Sequence, residues 1–200
     1  MIPAATVEDF LAALARDQGD PGGGAAAAVV TAIAASLGQM VCRYSPDETA
    51  AVVAGRRLGD LRTRAMAAAQ HDATASGGLG AALRPAEPGA EAERDRRIVV
   101  AATRAATTSA LVGAVALAVW DQLRVVADVG DRHLSADVAV AAGAVAAGLG
   151  GAATNLRGGL TLLAAHGDAA EETARLAPLD ARLRRSRDAA RDLADRLGDG

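Results

Sequence analysis

Apolar positions along this chain recur at steps of three and four, the repeat of an α-helix, and no useful stretch alternates with the period of two that marks a strand. Thr6-Val7-Glu8-Asp9 has the form of a capping box, with Asp9 in the usual Glu position, and predicts a short helix to about residue 16. Phe10, Leu11 and Leu14 share one face of it. After a loop at 17–24, residues 25–43 predict a second helix, with Val29, Ile33, Leu37 and Met40 spaced by four, four and three. Ser45-Pro46-Asp47 ends it, because proline cannot continue a helix. A third helix is expected over 47–76, with Val53, Leu58, Leu61 and Met66 apolar and Arg56, Arg57, Arg62 and Arg64 on wet faces. The glycine- and proline-rich segment 77–90 predicts a flexible loop.

A fourth helix follows over 91–127, and its uncharged run from 105 to 120 places its second half deep in a core. Residues 130–135 form a turn, and 136–165 a fifth helix rich in small residues. Its glycines at 143, 148, 150 and 151 are explained by close helix crossings, a local break, or a ligand against the backbone. The last helix, 168–197, carries Leu176, Leu179, Leu183, Ser186, Ala190, Leu193 and Leu197 along one seam, the mark of a helix lying nearly parallel to a neighbour. The expectation is an all-α bundle of about six helices, and with no composition shift along it, one domain over 1–200.

Composition sharpens the kind of core. Hydrophobic residues make up 51% of the 200, yet there is one Trp, one Tyr and one Phe, so alanine, valine and leucine fill the interior. Alanine favours helix and lets helix axes approach closely, which predicts tight Ala/Gly packing. A net charge of −3 gives no drive toward nucleic acid. With Cys42 as the single cysteine, no intrachain disulfide can form, and a cytoplasmic setting is expected. Residues 138–156 lack charge over a length close to a membrane span, but Ala and Gly contribute little to insertion. The N-terminus has neither the basic flank nor the apolar core of a signal peptide, so no membrane association is expected.

Few residues offer chemistry. Asp20-Pro21-Gly22-Gly23-Gly24 runs into an uncharged helix, and an exposed backbone beside a helix N-terminus can cradle an anionic or flat polar group as well as make a tight turn. His71 and Asp72 fall near the end of the third helix, His71 reading as a surface residue. Asp137 opens the fifth helix, where it suits either a first-turn acid or a functional carboxylate. Asn155, the chain's single asparagine, fits either a hydrogen bond between helices or a ligand contact. Asp137 and Asn155 are 18 residues apart, about 27 Å on a straight helix, so they share a site only if the helix breaks or a second subunit supplies one of them. Three scattered histidines give no metal-ligand pattern, and no metal is expected.

In order along the chain, several segments resemble the cyclodeaminase/cyclohydrolase family of folate enzymes. They are Phe10-Leu11; Pro21-Gly22-Gly23-Gly24-Ala25-Ala26-Ala27-Ala28; Met40-Val41-Cys42-Arg43; Asp72-Ala73-Thr74-Ala75; Ser135-Ala136-Asp137-Val138-Ala139-Val140-Ala141-Ala142; and Gly151-Ala152-Ala153-Thr154-Asn155-Leu156. The resemblance implies an all-α homodimer with a tetrahydrofolate derivative as substrate, bound near the dimer interface. It implies hydrolysis of a 5,10-methenyl bridge or deaminating cyclisation of a 5-formimino group. With no formiminotransferase domain in these residues, the expectation leans toward the hydrolysis. The alternative is a non-catalytic helical dimer that binds a small ligand or a protein partner.

Carried over residue by residue, Asp72 and Asp137 suit the acid/base role. Gly22, Gly23, Gly24 and Asn155 suit the pterin, and Arg43 or Arg104 the glutamate carboxylates. The chain departs from the family pattern at Ser76, where an aromatic is common, at Gly159, where a second asparagine falls, and at Ser109, where a proline is usual.

Overall fold

The computed structural model describes residues 6–17 and 20–199; residues 18 and 19 of the expected 17–24 loop lie outside that set. Six α-helices carry it: α1 (Val7–Leu14), α2 (Gly23–Arg43), α3 (Thr49–Ala82), α4 (Glu91–Val129), α5 (Ser135–His166) and α6 (Ala170–Gly198). A single 3₁₀ turn, Arg132–Leu134, leads into α5, and no strand occurs among the described residues. The capping box forms as its sequence requires, with the Asp9 N–H donating to the Thr6 hydroxyl and the Thr6 N–H to the Asp9 carboxylate.

Two boundaries differ from expectation for physical reasons. α2 begins at Gly23, so Gly23 and Gly24 are its first turn and not part of the loop. α3 runs on through Gly77, Gly78 and Gly80 to Ala82. Leu79 and Ala82 pack there against Ile98 and Ala101 of α4, and tertiary burial overrides the weak helix preference of the glycines.

Helices consecutive in the chain from α2 to α6 run antiparallel, as do α2 and α5, while α4 runs parallel to α2 and α6. α2 and α5 lie side by side, α3 flanks α2, α6 flanks α5, and α4 lies behind, against α3, α5 and part of α2. α1 buries none of its side chains. Small residues set the spacing. Along α4 and α5, Gly113 meets Ala152 and, seven residues further on α5, Gly159 meets Ala106, the repeat of near-parallel helix packing. Where α2 crosses α5, a Cβ at residue 148 would stand 2.2 Å from the Thr31 hydroxyl oxygen, so only glycine admits this crossing. Leu58, Ile98, Leu123, Leu149, Leu156 and Leu183 fill the remaining volume and are fully buried.

Three segments, Gly23–Arg43, Glu91–Val129 and Arg132–His166, are long and apolar enough to cross a membrane by length and composition. About half of each apolar window is buried within the bundle, 56%, 50% and 50%, which leaves uncharged helix faces at the surface.

Gly148→Ala is expected to destabilise the protein by about 1–3 kcal/mol through overpacking. Adding Thr31→Ala, which removes the colliding hydroxyl, should restore most of that loss. Urea denaturation of the two single variants and the double variant measures the coupling.

Candidate functional site

The N-terminus of α2 lacks a side chain of its own to cap it: Gly22 is the N-cap and carries no hydrogen-bonding group. Asp72 of α3 fills that role from across the bundle. Its carboxylate lies against the first turn of α2, where a Cβ at residue 24 would stand 2.3 Å from Oδ2 and 2.4 Å from Oδ1. Glycine at 24 is thus a condition for Asp72 to occupy its place. The Ala25 backbone N–H approaches the same carboxylate. The Thr108 hydroxyl of α4 donates to Oδ1 at 3.1 Å, and the Ser76 hydroxyl to Oδ2 at 3.4 Å.

Asp72 is 4% exposed and has no ion-pair partner among the described residues. Burial pushes its pKa above the usual carboxylate range, opposed by the hydrogen bonds from Thr108, Ser76 and Ala25. A carboxyl whose pKa is raised by burial is better suited to give up and take back a proton than an exposed one. Asn155 of α5 borders the same helix start from the other side, its side-chain amide 3.6 Å from where a Cβ at residue 23 would be.

Beyond Thr108 a cleft of about 890 Å³ opens between the C-terminal half of α3 and the N-terminal half of α4. Its size suits a small organic ligand. Ala75, Val100 and Ala101 supply apolar walls, and Thr74, Thr103, Thr107 and Thr108 supply hydroxyls. Arg104 faces the cleft without an ion-pair partner among the described residues, while Glu93, which also lines the cleft, is paired with Arg96 and lies in the field of Arg97. Thr108 and Arg97 are 11 residues apart on α4, about 16 Å. His71 is exposed on the cleft wall, as its sequence context suggested. Among the described residues no aromatic lines the cleft: Trp120 is buried elsewhere in the core, and Tyr44 is exposed at the far end of α2.

The structure divides the residues singled out from the sequence into two groups. Gly22, Gly23, Gly24, Asp72 and Asn155 come together at the start of α2. Arg43 and Asp137 do not join them within one chain. Arg43 ends α2, about 30 Å from its start, and Asp137 opens α5, which passes α2 in the opposite sense. A break in α5 would have been needed to unite Asp137 with Asn155, and α5 is continuous. Its paired glycines are held in the helix by neighbours, Gly150 against Arg187 and Gly151 against Ala27. Of the two arginines considered for a carboxylate, Arg104 faces the cleft and Arg43 lies away from it.

Thr108 was not singled out from the sequence. Its signal was the run Thr107-Thr108-Ser109 inside an uncharged helix, where hydroxyls need partners. Ser76, noted there as a lost aromatic, proves to be a hydrogen-bond donor to Asp72.

Asp72 also leaves a signature in stability. Its pKa is higher in the folded chain than in the unfolded one, so the native state keeps the proton over a window in which the unfolded chain has released it. The stabilisation is complete below the unfolded pKa and is lost as pH rises through the elevated native pKa. Asp72→Asn stays neutral, so its stability relative to wild type should increase across that window and then level off. Urea midpoints of both proteins over the acid-to-neutral range check this; curves that stay parallel would refute it.

Comparison with known proteins agrees with this architecture. No curated protein matches the chain in sequence. A crystal structure of formiminotetrahydrofolate cyclodeaminase from Thermotoga maritima superposes with a TM-score of 0.80 at 18% identity, over 97% of this chain and 96% of that one. That likeness is one of fold. The sequence profile described as formiminotransferase-cyclodeaminase matches residues 6–175, most of the chain and every residue gathered around Asp72. The chain belongs to the formiminotransferase-cyclodeaminase family.

Proposed function

We propose that the chain is a cytoplasmic one-carbon tetrahydrofolate enzyme, a cyclohydrolase or cyclodeaminase built as one helical domain. The observation that carries this reading is a buried Asp72, its pKa raised by burial, hydrogen-bonded to Thr108 on the wall of a cleft that Arg104 and Arg97 also line. Both reactions pass through a tetrahedral carbon between two nitrogens. In the hydrolysis, water adds to the methenyl carbon and gives up a proton, and a carbon–nitrogen bond breaks as that nitrogen takes one. In the cyclisation, the exocyclic N10 adds to the formimino carbon and gives up its proton, and the former imino nitrogen takes protons and leaves as ammonia when its bond to carbon breaks.

Each path needs one group to hold and return a proton, and Asp72 suits it. Gly23 and Asn155 offer hydrogen-bonding groups to a pterin, whereas Gly24 is buried against Asp72, and Arg104 and Arg97 offer guanidinium groups to the glutamate carboxylates. No metal enters the proposal.

The uncharged outer face of α2 and α5 supports a homodimer. Ile33 and Val140 are 50% and 61% exposed, and neither Ala25–Cys42 nor Val138–Leu156 contains a charged residue. The flanking helices α3 and α6 carry charges along their lengths, which opposes burial of this face in lipid. Gly143 and Ala147 are exposed near the middle of α5, and a Cβ at 143 would meet nothing, so a second copy can approach closely there. A two-fold axis lying in the plane of this face and perpendicular to α5 packs the face on its copy and reverses the direction of α5. It carries Arg43 of the partner subunit and Asp137 of the partner subunit toward the Gly23–Asn155 end. Asp137 and Arg43 enter the proposed site only by that route.

The alternative, a dimer that binds a small ligand without turning it over, draws its support from the cleft's lack of an aromatic to stack a pterin. Two assays separate the readings: calorimetry against 5-formyltetrahydrofolate, and loss of the methenyl absorbance together with ammonia release from the 5-formimino substrate. The enzyme reading expects turnover that falls about 10²- to 10⁴-fold in Asp72→Asn. It also expects Arg104→Ala to raise KM with kcat little changed. Binding without turnover would establish the alternative, and no binding would remove both.

For the dimer, light scattering behind size exclusion should give twice the chain mass. Ile33→Glu with Val140→Glu should give a folded monomer. A wild-type monomer would refute it.

A further inference from the structure

Asp72 is sealed from the cleft that its chemistry must serve. It does not line the cleft, and α2 closes its other side at Gly24 with no room for one more carbon atom. Among the described residues, the one hydrogen-bond partner of its carboxylate that also lines the cleft is Thr108. Ser76 touches the carboxylate as well but does not line the cleft.

The Thr108 hydroxyl has two acceptors at equal distance. Its oxygen lies 3.1 Å from Asp72 Oδ1 and 3.1 Å from the Ala105 carbonyl oxygen. A hydroxyl carries one proton and can also accept, so both contacts cannot be full donations at once. With Asp72 ionised, the proton points to Oδ1. With Asp72 protonated on Oδ1, that O–H donates to the threonine oxygen, and the threonine proton turns to Ala105. Two protonation states of one carboxyl therefore correspond to two settings of one hydroxyl, with no movement of heavy atoms.

We infer that Thr108 is a proton relay, joining the buried Asp72 carboxyl to a polar group of whatever molecule occupies the cleft between α3 and α4. The step balances simply. An N–H or O–H bond of the cleft molecule, or of a water it holds, breaks as a new O–H bond forms on Thr108. The original Thr108 O–H bond breaks as one forms on Asp72 Oδ1. One proton moves inward, the reverse step returns it, and nothing is oxidised or reduced. The relay rests on the folate reading for the identity of the cleft molecule, but not for the coupling between Thr108 and Asp72.

The charged surroundings leave that coupling legible. On α3 the neighbouring titratable group is His71, on α4 the nearest charged side chain of the cleft is Arg104, and ahead of α2 Asp20 lies against Gly77. The first turns of α2 and the middle of α5 bring no charge. Asp72's titration is therefore governed by burial and by its hydroxyl and N–H donors, as its raised pKa reflects.

The test compares Thr108→Val, which keeps the shape and removes the hydroxyl, with Thr108→Ser, which keeps the hydroxyl. Carboxyl ¹³C NMR follows Asp72 through a pH titration, and steady-state kinetics follow methenyl hydrolysis. The relay predicts a higher Asp72 midpoint in Thr108→Val and a return toward wild type in Thr108→Ser. It also predicts kcat about 10²-fold lower in the valine variant with KM within about twofold, and recovery in the serine variant. An unmoved Asp72 midpoint in the valine variant overturns the relay, as does a kcat in that variant equal to wild type. A serine variant as slow as the valine one overturns it too, since that marks a packing role. If the wild type turns over no folate, the folate reading fails by itself, while the titration still decides for or against the coupling.

Discussion

The start of α2 rests on a carboxylate from another helix, and much else in the molecule follows from that contact. A helix N-terminus leaves N–H groups without partners and carries a partial positive charge. Here the N-cap is a glycine with nothing to offer, and Asp72 takes its place from α3. The geometry works only because residue 24 has no side chain. In return, α2 seals Asp72 from water, and burial outweighs the hydrogen bonds that favour its charge. One contact thus caps a helix, joins α2 to α3 and leaves a carboxyl able to hold a proton.

The remaining packing keeps that contact in place. Antiparallel helices meet through alanine and glycine, so axes come close and errors of one methyl group matter. The crossing at Gly148 and Thr31 fixes how α2 lies on α5, and with it where Asn155 stands relative to Gly23. α4 closes the other side and brings Thr108 to Asp72. The same small-residue composition leaves α2 and α5 with an outer face free of charge, so the rigidity of the site and the apolar surface have a common origin.

Helix number and type were legible because leucines and valines recur at helical steps, as in Val29, Ile33, Leu37 and Met40. The glycines were harder to read. Gly77, Gly78 and Gly80 look like a loop to any local rule, yet Leu79 and Ala82 find a partner in Ile98 and the helix continues. Gly150 and Gly151 offered a break that packing against Arg187 and Ala27 does not use. The gathering of Gly22–Gly24, Asp72 and Asn155 was visible only through the order of family-like segments, since the residues are far apart in sequence. Thr108 and the arginine-lined cleft were hidden because side chains from α3 and α4 meet only once the antiparallel register is known.

The most direct test of the central contact follows the backbone amides of Gly24 and Ala25 by ¹⁵N NMR as pH is raised from acid. A carboxylate seated on this helix start must shift both signals as it ionises. An inflection above the usual carboxylate range is expected in the wild type, and none in Asp72→Asn. Amides that do not titrate, or that do so at the ordinary carboxylate value, would contradict it.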